Sequence, residues 1–281
     1  MATKKFQTID AHHHLWRYSR SEFGWIDDSM ETLQKNFLPA DLIREMAAAD
    51  VDGAVAVQAR QTLDETRWLL DQAEDCAAIR GVVGWAPIAG EEFPGIMEEF
   101  EDRPKLRGLR HVIHDEVDDE YILREDFNSG IRAMRGSGLV YDILIFARHL
   151  PQTIEFVDKH PEQVFVLDHV AKPLIRDGVL EPWAAQMQEL GRRDNVWCKL
   201  SGLVTEADWT SWDDASLKPY FDAAVTAFGP ARLLVGSDWP VCLLASEYER
   251  WFAVLRRYFA AYSEDERAAI FGGNAVEVYG L

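Results

Sequence analysis

Eight short, β-rich runs recur along the 281 residues: KFQTIDAHHHLW, GAVAVQA, GVVGWAPI, LRGLRHVI, LVYDILIF, QVFVLDHV, NVWCKLSG and RLLVGSDWPV. Several are almost wholly apolar instead of alternating. Strands buried on both faces of a parallel sheet read this way. Between the runs lie segments of helical periodicity. PADLIREMAAAD carries a proline near its start and Leu42, Ile43 and Met46 on one face. Residues 62–79 place Leu63, Trp68, Leu69, Leu70, Ala73 and Ile79 at helical spacing. Similar patterns cover 93–100, 127–134, 150–158, 183–190, 220–228 and 248–262, and a last short helix follows GGN with Asn274 as its expected N-cap. Strands alternating with helices imply parallel βαβ units. Eight such units in a domain-sized chain predict a closed (β/α)8 TIM barrel, one α/β domain over residues 1–281. A doubly wound sheet is the runner-up. It would normally carry a Gly-rich phosphate turn after its first strand, where this chain has histidines.

Active sites of such barrels sit at the C-terminal ends of the strands, so the polar residues closing each run are the candidates. The first run contains IDAHHHLW, whose apolar frame of Ile9, Ala11, Leu15 and Trp16 suits a buried strand and not a purification tag. Alternation along a strand puts Asp10, His12 and His14 on one face and His13 on the other. Buried imidazoles must be satisfied, either by core hydrogen bonds or by serving as ligands. Their expected role here is a ligand pair, His12 and His14, steadied by Asp10. Later strand ends supply Gln58, Trp85, Arg110, His111, His114, Arg148, His149, Asp168, His169, Lys199, Ser201 and Asp238. Strand alternation turns Asp168 away from His169, which assigns it to structure.

Composition excludes several classes. The formal net charge of -19 is unsuited to nucleic acid, whose binding needs a basic face. No stretch approaches ~18 uninterrupted apolar residues, so no membrane span is expected, and MATKKFQTID lacks the apolar core of a secretory signal. Cys76, Cys198 and Cys242 are scattered and odd in number. That pattern fits reduced thiols in the cytoplasm and argues against a cysteine zinc site.

Taken in order, DAHHHLW, LRGLRHVIHDEVD, FVLDHVAKP, VWCKLSGL, LLVGSDWPVC and GNAVEVYGL span nearly the whole chain. In this combination the sequence resembles the amidohydrolase superfamily. The nearer likeness is to its second amidohydrolase-type branch, the sugar-lactone and pyrone-dicarboxylate lactonases, especially those acting on lactones of L-fuconate and L-rhamnonate. The resemblance implies a site centred on His12, His14, His169 and Asp238. Binuclear members bridge two metals with a lysine or glutamate near the fourth strand. Here that position offers Arg110 and His111, so the implied site holds one divalent ion, zinc first, or none, with no organic cofactor.

Opening a lactone needs an activated water, a donor or cation on the carbonyl oxygen, and a proton for the leaving alkoxide. Asp238 is the expected general base. His12, His14 and His169, with Asp238, are the expected ligands of a single metal, or else donors to the oxyanion. Substrate recognition is expected from Arg110, His111, His114, Gln58, Lys199, Ser201, Arg148 and His149. Trp16, Trp25 and Trp85, and Trp239 with them, are candidates to stack on the sugar. Arg110 and His111 are adjacent and can both point inward only if the strand bends. The expected partner is a small sugar lactone, in a monomer or a homo-oligomer. Two rivals share the barrel: a metal-dependent decarboxylase of aromatic acids and a non-catalytic small-molecule binder.

Overall fold

The computed structural model describes residues 6–281, so Lys5, which starts the first expected run, lies outside the described residues. The runs become β1 (Ile9–His13), β2 (Gly53–Val57), β3 (Ile79–Gly84), β4 (Leu106–Val112), β5 (Val140–Leu144), β6 (Phe165–Leu167), β7 (Val196–Leu200) and β8 (Leu233–Val235). They form one sheet in chain order, each strand parallel to the next. Beyond the end of β8 the chain closes the ring onto β1. Asp238 N donates to His12 O at 2.8 Å and His14 N donates to Trp239 O at 2.6 Å. The architecture is a (β/α)8 barrel.

The helices are α1 (Pro39–Ala48), α2 (Leu63–Asp75), α3 (Phe93–Glu99), α4 (Glu125–Ala133), α5 (Leu150–Lys159), α6 (Trp183–Leu190), α7 (Leu203–Glu206), α8 (Asp214–Phe228), α9 (Tyr248–Tyr258), α10 (Glu264–Ala268) and α11 (Asn274–Tyr279). Local chemistry sets their ends. Pro39 opens α1, and the Thr62 hydroxyl accepts from Glu65 N to cap α2. Several boundaries depart from the sequence reading: α8 already begins at Asp214, and α9 ends at Tyr258, short of 262. α2 stops at Asp75, and Ile79 begins β3, its apolar side chain serving the sheet. Asn274 is no N-cap: α11 continues from a π turn over Ala269–Gly273, and the Asn274 amide donates to Pro230 O and Leu233 O. No helix among the described residues is long and apolar enough to cross a membrane.

Two apolar layers follow from strand alternation. Ile9, Ala11, Val55, Val57, Val83, Val140, Val166 and Leu234 form one cluster. They come from strands all round the ring, so they meet in its lumen. Ala275 and Tyr279 of α11 join this cluster and stopper the end where the strands begin. The alternate residues, such as Ala54, Ala56, Val82 and Ile143, pack outward beneath the helices in the larger core. The other end of the lumen is polar, and the candidate site lies there.

Candidate active site

β1 does not keep simple alternation. Its register with β2 shifts between Asp10 and His13, and this bulge separates residues that strict alternation would put on one face. Asp10 turns toward α9. Its carboxylate accepts from Tyr248 OH at 2.9 Å, from Ser237 Oγ at 2.6 Å and from Ser237 N at 2.8 Å. Burial raises its pKa to about 6 against those hydrogen bonds. It touches His12 only through the backbone N–H, at 3.1 Å. The expected Asp10 support for the two rings is therefore corrected: it fixes the strand end, and other groups hold the rings.

His12, His14 and Asp238 converge at the polar end of the lumen. His12 Nε2 lies 3.2 Å from His14 Nε2, and Asp238 Oδ1 lies 3.3 Å from His14 Nε2 and 3.8 Å from His12 Nε2. His169 Nε2 is 3.9 Å from the same oxygen. All four side chains are at least nine-tenths buried. His14 Nδ1 donates to Val57 O at 2.8 Å, which leaves Nε2 with its lone pair toward the cluster. His12 Nε2 faces the cluster too, with Nδ1 3.3 Å from both Asp168 Oδ1 and Lys199 Nζ behind it. His12, His14 and Asp238 bring two imidazole nitrogens and a carboxylate oxygen close enough that they could hold a divalent cation, as could His12, Asp168 and His169 beside them. The tightest set is thus His12, His14 and Asp238, with His169 at its edge.

Burial pulls His12 well below its ordinary pKa, and it lowers His169 to about 4 against the pull of Asp238 and Asp168. Both rings are neutral at neutral pH, as ligands must be. Burial works against the Asp238 charge, but His169, His14 and His12 outweigh it and hold the carboxyl well below the usual range.

Beneath the cluster runs a chain of buried charges. Lys199 Nζ lies 2.9 Å from Asp168 Oδ1, 3.3 Å from His12 Nδ1, and bonds Asp142. Tyr279 OH reaches up from α11 to donate to Asp142 Oδ1 at 2.8 Å. Arg110 Nη1 donates to Asp168 Oδ2 at 2.9 Å and lies 3.3 Å from His12 Nε2. Burial raises Asp168, but Lys199, His12 and Arg110 reverse this and keep it ionised. Asp142 is pushed up by burial to about 6, against Lys199. The assignment of Asp168 to a structural role facing away from the site is thereby corrected. β6 ends at Leu167, and His169, Val170, Ala171 and Lys172 take φ of +52°, +48°, +59° and +49°. This left-handed turn abolishes strand alternation and faces both Asp168 and His169 inward.

A cavity of about 240 Å³ opens above the cluster, lined by His14, Trp25, Arg110, His114, His169 and Asp238 among the expected residues. Lys172 and Asp115 also line it. The sequence reading gave neither a role, although Lys172 stands in the quoted LDHVAKP. The remaining expected contacts lie elsewhere. His111 points behind β4, stacked on Tyr121 at 4.9 Å, with Nε2 at 2.6 Å from Glu116 Oε1. Trp85 Nε1 donates to His111 Nδ1 at 3.2 Å on that outer side. The two meet there because β4 stays straight, with only Arg110 turned inward. Arg148 and His149 both bond Asp119, at 3.1 and 2.8 Å. Trp16 is buried with Nε1 on Lys35 O, its ring meeting Trp25 edge-on, and Trp239 packs against Phe37. Gln58 holds the Arg110 backbone, donating to its carbonyl at 3.3 Å. Lys199 sits below the cavity, and Ser201 Oγ pairs with His169 Nδ1 at 2.9 Å. These last three support cavity residues and do not line it.

Comparison with known proteins places these motifs in context. The family model described as Amidohydrolase matches residues 9–281. An L-fucono-1,5-lactonase of Burkholderia multivorans is 40% identical, with 97% of this chain and 96% of that protein covered. An L-fucono-1,5-lactonase of Burkholderia ambifaria is 37% identical over 96% of this chain and 94% of its own. The crystal structure of an amidohydrolase from Burkholderia multivorans with bound zinc superposes with a TM-score of 0.94, at 40% identity, covering 98% of this chain and 99% of that one.

Proposed function

The chain belongs to the amidohydrolase family, and from that premise we propose that it opens a small sugar-acid lactone to the free acid, L-fucono-1,5-lactone first among the candidates. One observation carries the reading: three imidazoles and one carboxylate, from β1, the β6 turn and the end of β8, meet beneath a cavity sized for a single sugar ring.

The chemistry can be assigned to these groups. Asp238 is ionised and presents Oδ1 to the imidazoles, so Oδ2 is the oxygen that takes a proton from water. The water oxygen bonds to the lactone C1, and the carbonyl electron pair moves onto its oxygen. Arg110, which lines the cavity and is braced by Asp168, offers a fixed cation to that oxyanion. The pair then returns, the bond from C1 to the ring oxygen breaks, and Asp238 hands its proton to the leaving alkoxide. His12, His14 and Asp238, with His169 beside them, would hold one divalent ion, zinc by likeness to the zinc-bound relative. Such an ion would supply polarisation of the carbonyl and a more acidic water. Ser201 fixes the His169 ring, and the Lys199–Asp168 pair fixes His12.

The reading extends to the whole protein: one barrel domain over 1–281, working in the cytoplasm, where its three unpaired cysteines stay reduced. Its partner is a small sugar lactone, in a monomer or a homo-oligomer. The test is acid release from L-fucono-1,5- and L-rhamnono-1,4-lactone by zinc-loaded protein, beside bicarbonate release from aromatic acids. We expect lactone opening, lost on chelation and restored by zinc. Bicarbonate release without lactone opening would favour the decarboxylase, and lactone binding without turnover would favour the non-catalytic binder.

A further inference from the structure

The wall of the cavity opposite the imidazole–carboxylate cluster has a composition that the reaction itself does not require. In a ring of eight strands, β1 faces β5 and β8 faces β4. His12, His14 and Asp238 belong to the β1–β8 side, so the far wall is built by the ends of β4 and β5. These two strands pair in register, Arg110 beside Asp142 and Val112 beside Leu144. Alternation sends Arg110 and Asp142 inward as the charged floor, His111 and Ile143 outward, and Val112 and Leu144 inward again. Val112 and Leu144 both line the cavity. Above them the His114 ring stacks on Phe146, 4.5 Å between centroids. The wall therefore climbs from charge to a two-residue apolar shelf to a stacked imidazole.

With C1 held at the cluster, the rest of the lactone ring and the groups it carries extend across the cavity toward this wall. In a 1,5-lactone, C6 hangs from C5, across the ring oxygen from C1. We propose that Val112 and Leu144 form the subsite for C6 and receive the methyl group of a 6-deoxyaldono-1,5-lactone, so that this shelf selects deoxy lactones over their 6-hydroxy counterparts. The inference rests on the lactonase reading and narrows it to a substrate class. A primary hydroxyl in the same place would lose its water and meet only aliphatic carbon. His114 supplies the complement. It lines the cavity beside the shelf, its ring held by the stack on Phe146 and its Nε2 3.3 Å from Asp115 Oδ1, so the surface next to the methyl is polar. The shelf thus takes the one apolar substituent of the sugar, and the groups around it take the polar ones.

Discrimination of this kind is worth about 10–100-fold in kcat/KM. The experiment compares kcat/KM for L-fucono-1,5-lactone and for L-galactono-1,5-lactone, which differs only by a hydroxyl on C6, using zinc-loaded protein. It is run on the wild type, Val112→Thr and Leu144→Asn, each a near-isosteric change. We expect the wild type to favour the deoxy lactone by at least about tenfold. Each variant should cut that ratio several-fold, chiefly by losing rate on the deoxy lactone. Equal rates on both lactones in the wild type, or ratios unmoved in both variants, would overturn the shelf while the lactonase reading stands. A wild type that opens neither lactone would remove that reading, and the shelf with it.

Discussion

His12 is held from behind by charge. Lys199, Asp168 and Asp142 form a dry chain under the ring, and each charge in it is neutralised by a neighbour. Lys199→Met would leave the buried Asp142 carboxylate without its cation, while Asp168 keeps Arg110. Breaking such a pair costs about 3–5 kcal/mol, which urea unfolding would register, and turnover should slow about 10–100-fold as His12 loses its brace. His13 is the contrasting residue. It points away from the site and is fully buried, and burial lowers its pKa from 6.5 to about 3 against a backbone contact at Val55. Above pH 6.5 the ring is neutral in folded and unfolded chains alike. Between 6.5 and about 3 the unfolded chain takes a proton that the folded one refuses, so stability falls as pH falls. The slope approaches roughly 1.4 kcal/mol per pH unit. Between pH 7 and 5 the wild type should lose about 2 kcal/mol more than His13→Leu in paired urea titrations. Parallel losses would show that His13 is protonated in the fold.

The elements that sequence periodicity describes well are those with regular backbone. β2, β5 and β7 fall inside their apolar runs, and alternation along β4 separates Arg110 from His111 as a straight strand requires. Periodicity fails where the backbone leaves the regular form. The β1 bulge parts Asp10 from His12 and His14, and the turn after β6 puts neighbouring Asp168 and His169 on one side. Nothing in LDHVAKP announces four successive left-handed residues, since none is glycine. A left-handed conformation costs roughly 1–2 kcal/mol per residue, and surrounding packing must hold it. Gly202, itself at φ +67°, is part of that packing: a Cβ there would sit 2.6 Å from His169 Nδ1. Gly202→Ala should push the His169 ring off Ser201. We expect about 1–3 kcal/mol of destabilisation and turnover slowed about tenfold or more. Unfolding curves and initial rates on one preparation would check both. The expected substrate contact of Arg148 and His149 fails for a different reason. As loop residues near a strand end they carry no periodicity, and Asp119, which binds both, is distant in sequence.

Across the whole molecule, the barrel's two ends are joined through its axis. Tyr279 of the last helix stoppers the lumen and donates to Asp142, which pairs with Lys199 below His12. Tyr279→Phe keeps the stopper and removes the donor. It should cost about 1–3 kcal/mol in thermal or urea unfolding, since Asp142 stays buried. The lactonase relatives and the cavity's chemistry support the same activity, and in the proposed mechanism that activity depends on one carboxylate at the seam where β8 meets β1. The most direct test is therefore turnover of L-fucono-1,5-lactone by Asp238→Asn against wild type, both correctly folded and with measured zinc content. Loss of the general base should slow turnover by about 10²–10⁴-fold. A variant that turns over within about threefold of wild type, well inside the range expected for a lost general base, would contradict the account.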